Sequence, residues 1–136
     1  YDDAKEMLDS LDEKILERAY NDSEGITAKF NKNILSGINK ICGKIFDVND
    51  FDHKAFFNKN KSRIEMHLVS KKDQTVKILN KKIKLRQGES IHTENSYKYS
   101  VNSFKSLAES SGFKIKKVMT DQKAFFGIFV LKVKSS

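Results

Sequence analysis

The densest run of polar side chains lies between His92 and Ser100, and it is the segment best suited to hold a small polar ligand. The run alternates as in a strand, so His92, Glu94, Ser96 and Lys98 are predicted to project from one face. An imidazole, an acid and a hydroxyl at two-residue steps can grip such a ligand. A solvent-exposed edge strand with mixed polar residues explains the same pattern, and spacing alone favours that plainer interpretation.

Motifs for other kinds of chemistry are missing from the sequence. His53, His67 and His92 do not stand at a familiar metal-ligand spacing, so no metal site is predicted. The sequence contains no Gly-x-Ser-x-Gly motif and no phosphate loop, and no catalytic residue is predicted. The six glycines never form Gly-x-Gly, so no cofactor-binding residue of the glycine-rich strand-to-helix type is predicted either.

Composition limits the classes of partner. The chain has 136 residues, a net charge of +8 and one cysteine, which indicates a globular protein of ordinary domain size in a reducing, cytoplasmic compartment. The lysines stand singly or in pairs between apolar residues, which is typical of a solvated surface and argues against nucleic acid as a partner. No apolar run approaches the roughly 20 residues of a membrane helix, so no membrane is expected.

The first part of the chain predicts two helices. Apolar residues recur at three- and four-residue steps from Ala4 to Ala19. Asp22 or Ser23 can cap a second helix that Gly43 ends. Its apolar face is formed by Ile26, Phe30, Ile34, Ile38 and Ile41, with Leu35 beside it.

The middle of the chain predicts an antiparallel sheet. Turn-forming residues surround an aromatic cluster between 47 and 61, and we interpret this segment as an ordered loop with a helical turn. Period-two alternation then begins at Arg63 and predicts a strand. Short turns separate it from three further strand-like runs, which favours antiparallel pairing. These runs cover 76–79, 83–85 and 90–97.

The last part of the chain predicts one helix and two strands. Ser100 can cap a helix that ends near Gly112, and strands follow at 113–119 and 124–133. The final strand is almost continuously apolar, as expected of a strand that is covered on both faces. One helix lies near it in sequence, so we expect something outside this chain to cover the second face.

Four ordered blocks carry a more specific signal than any single motif. They are residues 19–31 (AYNDSEGITAKFN), 51–56 (FDHKAF), 63–69 (RIEMHLV) and 88–99 (GESIHTENSYKY). Together they resemble the histidine-specific methyltransferase family, which depends on S-adenosylmethionine. The best-known members trimethylate the α-amino group of L-histidine in the first step of ergothioneine synthesis, and a fungal branch methylates a prenylated tryptophan.

This resemblance implies an α+β fold. Residues 1–99 would form the substrate-binding domain, with N-terminal helices at 1–46 and an antiparallel sheet at 62–99. Residues 100–136 would supply the last helix and two strands of a class I methyltransferase core. The cofactor, S-adenosyl-L-methionine, would be bound by a preceding portion. This chain alone would then be inactive, and the remainder of the core would be its partner and cover the last strand.

The resemblance also implies roles for four residues. Tyr20 matches a tyrosine that holds the amino-acid end of the substrate, Met66 lines the side-chain pocket, and Glu94 with Ser96 contacts the imidazole. A carboxylate that accepts from a ring N–H makes a charge-assisted hydrogen bond, and a site of this kind discriminates better than an apolar pocket. The amine attacks a methyl group on a sulfonium, so placement supplies most of the rate and no nucleophilic side chain is needed.

Two other hypotheses stay open at this point. The substrate of the same family could be another amino acid or amine, although an indole offers a single donor to Glu94 and Ser96. A non-catalytic basic binding module is an alternative from a different class, and steep salt dependence of nucleic-acid retention would support it.

Overall fold

The structure is a computed structural model that describes residues 13–123 and 125–134. These residues divide into two compact units: the first unit spans Glu13–Tyr97, and the second contains the residues from Lys98 onward. Helices and antiparallel strands both occur, which confirms the predicted α+β class.

Two helices open the first unit: α1 spans Glu13–Tyr20 and α2 spans Ile26–Cys42. The predicted first helix begins at Ala4, and its first turns lie outside the described residues. Gly25 precedes α2 with a φ of 68°, a left-handed conformation that suits glycine.

The capping role predicted for Asp22 or Ser23 belongs to Asp22. Its carboxylate accepts hydrogen bonds from the backbone N–H groups of Ile26, at 2.7 Å, and Thr27, at 2.9 Å. Hydrogen bonds from Thr27 and Ile26 lower the pKa of Asp22 to about 2, with the Thr27 side chain as the largest cause. The carboxylate thus satisfies two of the free donors at the start of α2.

The buried face of α2 is not its isoleucine stripe. Asn31 and Leu35 are 3% and 1% exposed, and Ile38 packs against the same core. Most of the stripe lies at the surface of the unit, with exposed fractions of 61% for Ile26, 63% for Phe30, 45% for Ile34 and 85% for Ile41. One side of α2 therefore faces the sheet, and an apolar side remains uncovered.

A strand replaces the loop that the sequence predicted between residues 47 and 61. This strand, β1, spans Phe51–Asn58 and is flanked by short 3₁₀ turns. Phe51 and Ala55 are buried while Asp52 and Lys54 are exposed, which is the alternation of a half-buried strand. The loop prediction was wrong because the turn-forming residues around the aromatic cluster obscured this period.

The remaining strands of the first unit pair antiparallel. They are β2 at Arg63–Ser70, β3 at Gln74–Ile78, β4 at Lys81–Leu85 and β5 at Ser90–Tyr97. Strands β1, β2 and β5 form a three-stranded sheet with β2 in the centre, whereas β3 and β4 form a separate two-stranded sheet.

A β-bulge in β5 decides which side chains share a face. Met66 pairs with Glu94, but the next residue of β2, His67, pairs with His92, so Thr93 is an extra residue in β5. Glu94 therefore lies on the Met66 face and His92 on the opposite face. The sequence alternation put His92 and Glu94 on one face, and that prediction was wrong because it assumed a regular strand.

Two apolar clusters hold the sheet against the helices. The larger one joins α2, the sheet and the β3-β4 hairpin through six buried side chains: Leu35, Phe46, Phe51, Leu68, Val76 and Leu85. The smaller one is formed by Ala55, Ile64 and Met66, with Leu16 and Tyr20 of α1 packed against it. Burial of this kind is the main stabilising contribution to such a fold.

The second unit contains α3 at Val101–Ser110, β6 at Phe113–Thr120 and β7 at Gly127–Val133. Ser100 caps α3 by accepting the Ser103 N–H at 3.1 Å, as predicted, and β6 pairs antiparallel with β7. Apolar side chains of β7 stay exposed, with fractions of 51% for Ile128 and 67% for Val133. Across the described ranges, no helix has both the length and the apolarity for a membrane crossing.

Candidate substrate site

The four predicted site residues come from three elements of the first unit. Tyr20 is the last residue of α1, Met66 lies in the middle of β2, and Glu94 and Ser96 lie on β5. Helix α1 contacts both β1 and β2. These contacts place the end of α1 beside the strand that carries Met66.

Tyr20 connects α1 to β5. Its side chain packs against the cluster that contains Ile64 and Met66. Its hydroxyl lies 2.8 Å from the Ser96 hydroxyl, in a part-buried hydrogen bond that spans 76 residues of sequence. Ser96 pairs with Ile64, so it lies on the face that α1 covers.

Met66 and Glu94 are cross-strand partners on that same face. Met66 is 2% exposed, so its side chain is packed in the smaller apolar cluster. Glu94 is exposed, and within the described part of the chain its carboxylate has no hydrogen bond or ion pair. A carboxylate without internal donors is available to a donor on a ligand.

The helix-facing side of the sheet thus brings together a carboxylate, two hydroxyls and a thioether. Glu94 and Ser96 stand two residues apart on β5, and their partners Met66 and Ile64 stand two apart on β2. Neighbours of this kind lie within about 8 Å of one another on one face. This set can accept a ring N–H and exchange a hydroxyl hydrogen bond, and Met66 supplies an apolar neighbour beside the carboxylate.

The opposite face of the same strands carries a satisfied ion pair. The Glu65 side chain is 9% exposed, and its Oε1 lies 2.6 Å from Nη2 of Arg63. Asn58 donates to the same oxygen at 2.9 Å. The hydrogen bond from Arg63 is the main cause that lowers the pKa of Glu65 to about 2. We call Arg63, Glu65 and His67 the outer ladder.

The outer ladder also brings histidines together. One donor atom each from Glu65, His67 and His92 lies within 4.8 Å of the others, so two of the histidines that looked scattered in sequence are neighbours. However, the His67 and His92 rings stack at 4.5 Å with planes 13° apart. Because ring lone pairs lie in the ring planes, parallel rings do not aim at one shared ion. We interpret this group as a stacked, hydrogen-bonded surface.

A shallow cleft of about 330 Å³ lies at the start of α2. None of the four predicted site residues lines it, and its charged groups have mixed sign. The residues around it are Asn21, Asp22, Ala28, Lys32, Asp52 and His53.

Comparison with known proteins identifies the family of this chain. The family model for "Histidine-specific methyltransferase, SAM-dependent" matches residues 7–133. The Histidine N-alpha-methyltransferase of Mycolicibacterium smegmatis is 33% identical over 115 residues, which cover 83% of this chain and 36% of that protein. The N-methyltransferase imqF of Aspergillus flavus is 32% identical over 124 residues, covering 90% of this chain and 33% of that protein.

A further relative is Ergothioneine biosynthesis protein 1 of Schizosaccharomyces pombe, which is 29% identical over 103 residues, covering 75% of this chain and 13% of that protein. The chain belongs to the histidine-specific, S-adenosylmethionine-dependent methyltransferase family, and the resemblance found in the sequence blocks is confirmed. It spans about a third of the length of the relatives from M. smegmatis and A. flavus.

The described residues do not fit the cofactor that this family uses. Adenosyl cofactors of class I enzymes lie at a glycine-rich turn between a parallel strand and a helix. Every strand pair among the described residues is antiparallel. The glycine before α2 follows a turn rather than a strand, and no glycine of the described ranges lies between a strand and a following helix.

Proposed function

We propose that the protein methylates the α-amino group of L-histidine, and that residues 1–99 are its substrate-recognition domain. The family supports the class of reaction. The observation that carries the substrate assignment is the exposed Glu94 carboxylate, which lies beside buried Met66 and near the Tyr20–Ser96 hydrogen bond.

In this proposal each side chain recognises a different part of L-histidine. Glu94 accepts the imidazole N–H, and Ser96 completes the hydrogen bonding of the ring. Met66 contacts the ring edge with a polarisable sulfur. Tyr20 holds the amino-acid end, and fixing both ends of the substrate places the amine for attack. An amino acid without a ring donor leaves Glu94 unpaired and is rejected.

We further propose that residues 100–136 complete a methyltransferase core whose other strands, and whose S-adenosyl-L-methionine site, lie in a part of the protein outside this chain. Two observations support this assignment. The described residues do not form an adenosyl-cofactor turn. In addition, apolar side chains of β7 are exposed, and uncovered apolar surface of this kind marks an interface.

A substrate panel tests the proposal on the full-length protein. We expect L-histidine to be methylated with the highest kcat/KM among amino acids and amines, and Glu94→Gln to lower that value by about a hundredfold or more. Glu24→Gln is the matched control, because Glu24 is an exposed glutamate at the surface of the same unit. Equal kcat/KM for wild type and Glu94→Gln would remove Glu94 from the site.

A second candidate is another amino acid or amine as the substrate. The similarity to imqF favours keeping it, because that relative's name specifies an N-methyltransferase without naming histidine. The same panel decides between the two, since a faster reaction with a non-histidine amine would replace L-histidine as the substrate.

A further inference from the structure

A buried asparagine on α2 reaches the backbone of the central strand. Asn31 is 3% exposed, and burying an amide is costly unless its hydrogen bonds are made. Its Nδ2 donates to the backbone carbonyl of His67 at 3.1 Å and bonds Nδ1 of His53 at 2.9 Å. The amide therefore connects α2 with both β1 and β2.

His53 connects Asn31 to the backbone of Tyr20. Its Nε2 lies 2.8 Å from the backbone carbonyl oxygen of Tyr20. A carbonyl oxygen only accepts, so Nε2 carries the proton and Nδ1 accepts from Asn31. Both ring nitrogens are thus hydrogen-bonded, and the ring fixes the end of α1 where the Tyr20 side chain begins.

Thr93, the extra residue of the β5 bulge, completes the connection. Its Oγ1 lies 2.6 Å from Oδ1 of Asn31 and 2.9 Å from the carbonyl oxygen of Met66. Both partners are acceptors, so the single hydroxyl proton is shared between them. The bulged residue is therefore tied to α2 and to the backbone of Met66.

On the basis of the proposed function, we propose that Asn31, His53 and Thr93 form a positioning network that aligns the histidine site. None of the three is required to touch the substrate. They hold the backbone at Tyr20, at Met66 and immediately before Glu94, which are three of the four points from which site side chains project.

The register of the sheet shows why the bulge matters. His92 pairs with His67, so a regular strand would continue with Thr93 opposite Met66 and Glu94 opposite Glu65. Glu94 would then lie on the outer face beside another carboxylate, away from Met66. The extra residue moves Glu94 to the helix-facing side, and the hydroxyl of Thr93 anchors that extra residue.

Substitution of Thr93 in the full-length protein tests the network with little change in shape. Thr93→Val removes the hydroxyl and keeps a β-branched side chain, and Thr93→Ser restores the hydroxyl. Thr75→Val is the matched control, because Thr75 is an exposed threonine on β3. Asn31→Ala, with exposed Asn33→Ala on the same helix as its control, is a second test, and Thr93→Val decides the outcome if Asn31→Ala does not fold.

We expect Thr93→Val to lower kcat/KM for L-histidine by about tenfold to a hundredfold, because small misplacements of a bound substrate are costly. The KM for S-adenosyl-L-methionine should stay unchanged, Thr93→Ser should recover most of the activity, and Thr75→Val should behave as wild type. Kinetics of Thr93→Val equal to those of Thr75→Val would overturn the network. So would a loss of thermal stability alone, with unchanged kinetics well below the unfolding transition.

A second readout does not depend on the identity of the substrate. The ¹³C-methyl resonance of Met66, assigned by its loss in Met66→Leu, should shift in Thr93→Val and not in Thr75→Val. If the wild-type protein does not methylate L-histidine, the proposed function is wrong. The Met66 resonance then still shows whether Thr93 positions the Met66 side chain. An unshifted resonance in Thr93→Val would contradict the network.

Discussion

The two faces of the β1-β2-β5 sheet use their carboxylates in opposite ways. On the outer face, Glu65 is buried and surrounded by donors from Arg63 and Asn58. On the helix-facing side, Glu94 is exposed and, among the described residues, has no internal donor. A carboxylate whose charge is already paired with internal donors stabilises the fold, whereas a carboxylate without internal donors can bind a donor on a ligand. Burial or a shifted pKa alone would have pointed to Glu65, which lies on the face opposite to the proposed site.

The largest expected effect on stability comes from the helix-facing side. Met66 is 2% exposed, and Met66→Ala should lower the free energy of unfolding by about 2–5 kcal/mol. Met66→Leu should cost less than about 1.5 kcal/mol because it nearly conserves volume, while it alters the discrimination between L-histidine and other amino acids. Urea unfolding and the substrate panel measure the two effects. Equal stability of Met66→Ala and wild type would contradict the packing described for Met66.

Glu65→Gln tests the outer face. The folded-state pKa of Glu65 is about 2, against an ordinary value of 4.5, so its ionised form stabilises the fold at neutral pH. That contribution is fully present above about pH 4.5 and is lost as the pH falls towards 2. We expect Glu65→Gln to be less stable than wild type at pH 7, and the difference between the two to shrink across this window.

The variant changes a single member of the outer ladder. Among the described residues, Arg63 and His67 lie within ion-pair distance of Glu65, and both remain in the variant. Thermal unfolding from pH 7 to pH 3 measures the difference. The comparison of the two faces breaks down if Glu65→Gln raises the KM for L-histidine as much as Glu94→Gln does.

The smallest expected effect comes from removing one hydroxyl. Tyr20→Phe loses the 2.8 Å hydrogen bond to Ser96, which should lower the free energy of unfolding by about 1 kcal/mol. Tyr97→Phe is the matched variant on the outer face, where the hydroxyl accepts from Arg63 at 2.8 Å. The KM for L-histidine should rise for Tyr20→Phe and stay unchanged for Tyr97→Phe. A rise for Tyr97→Phe would show that the outer face also contributes to binding.

Sequence patterns predicted most of the elements of the fold. The 3.6-residue period marked α2, the Ser100 cap marked α3, and period-two alternation marked β2 and β5. Strand β1 was missed because turn-forming residues surround it. The buried side of α2 was also missed, since Asn31 is polar and becomes a core residue only through partners on β1, β2 and β5.

The arrangement of the site could be predicted only in part. Family blocks named Tyr20, Met66, Glu94 and Ser96, but strand alternation alone grouped Glu94 with His92. A bulge inserts one residue without any local signature at Thr93, and it is fixed by hydrogen bonds to residues 27 and 62 positions away. Register set by such distant partners cannot be derived from the period of one strand.

Calorimetric titration of L-histidine into the full-length protein tests the division between the two faces most directly. We expect the affinity of Glu94→Gln to fall by about thirtyfold or more, which corresponds to about 2 kcal/mol. The affinity of Glu65→Gln, measured below its unfolding temperature, should stay within about threefold of wild type. Unchanged affinity in Glu94→Gln, or an equal loss in both variants, would contradict the assignment of the helix-facing side as the histidine site.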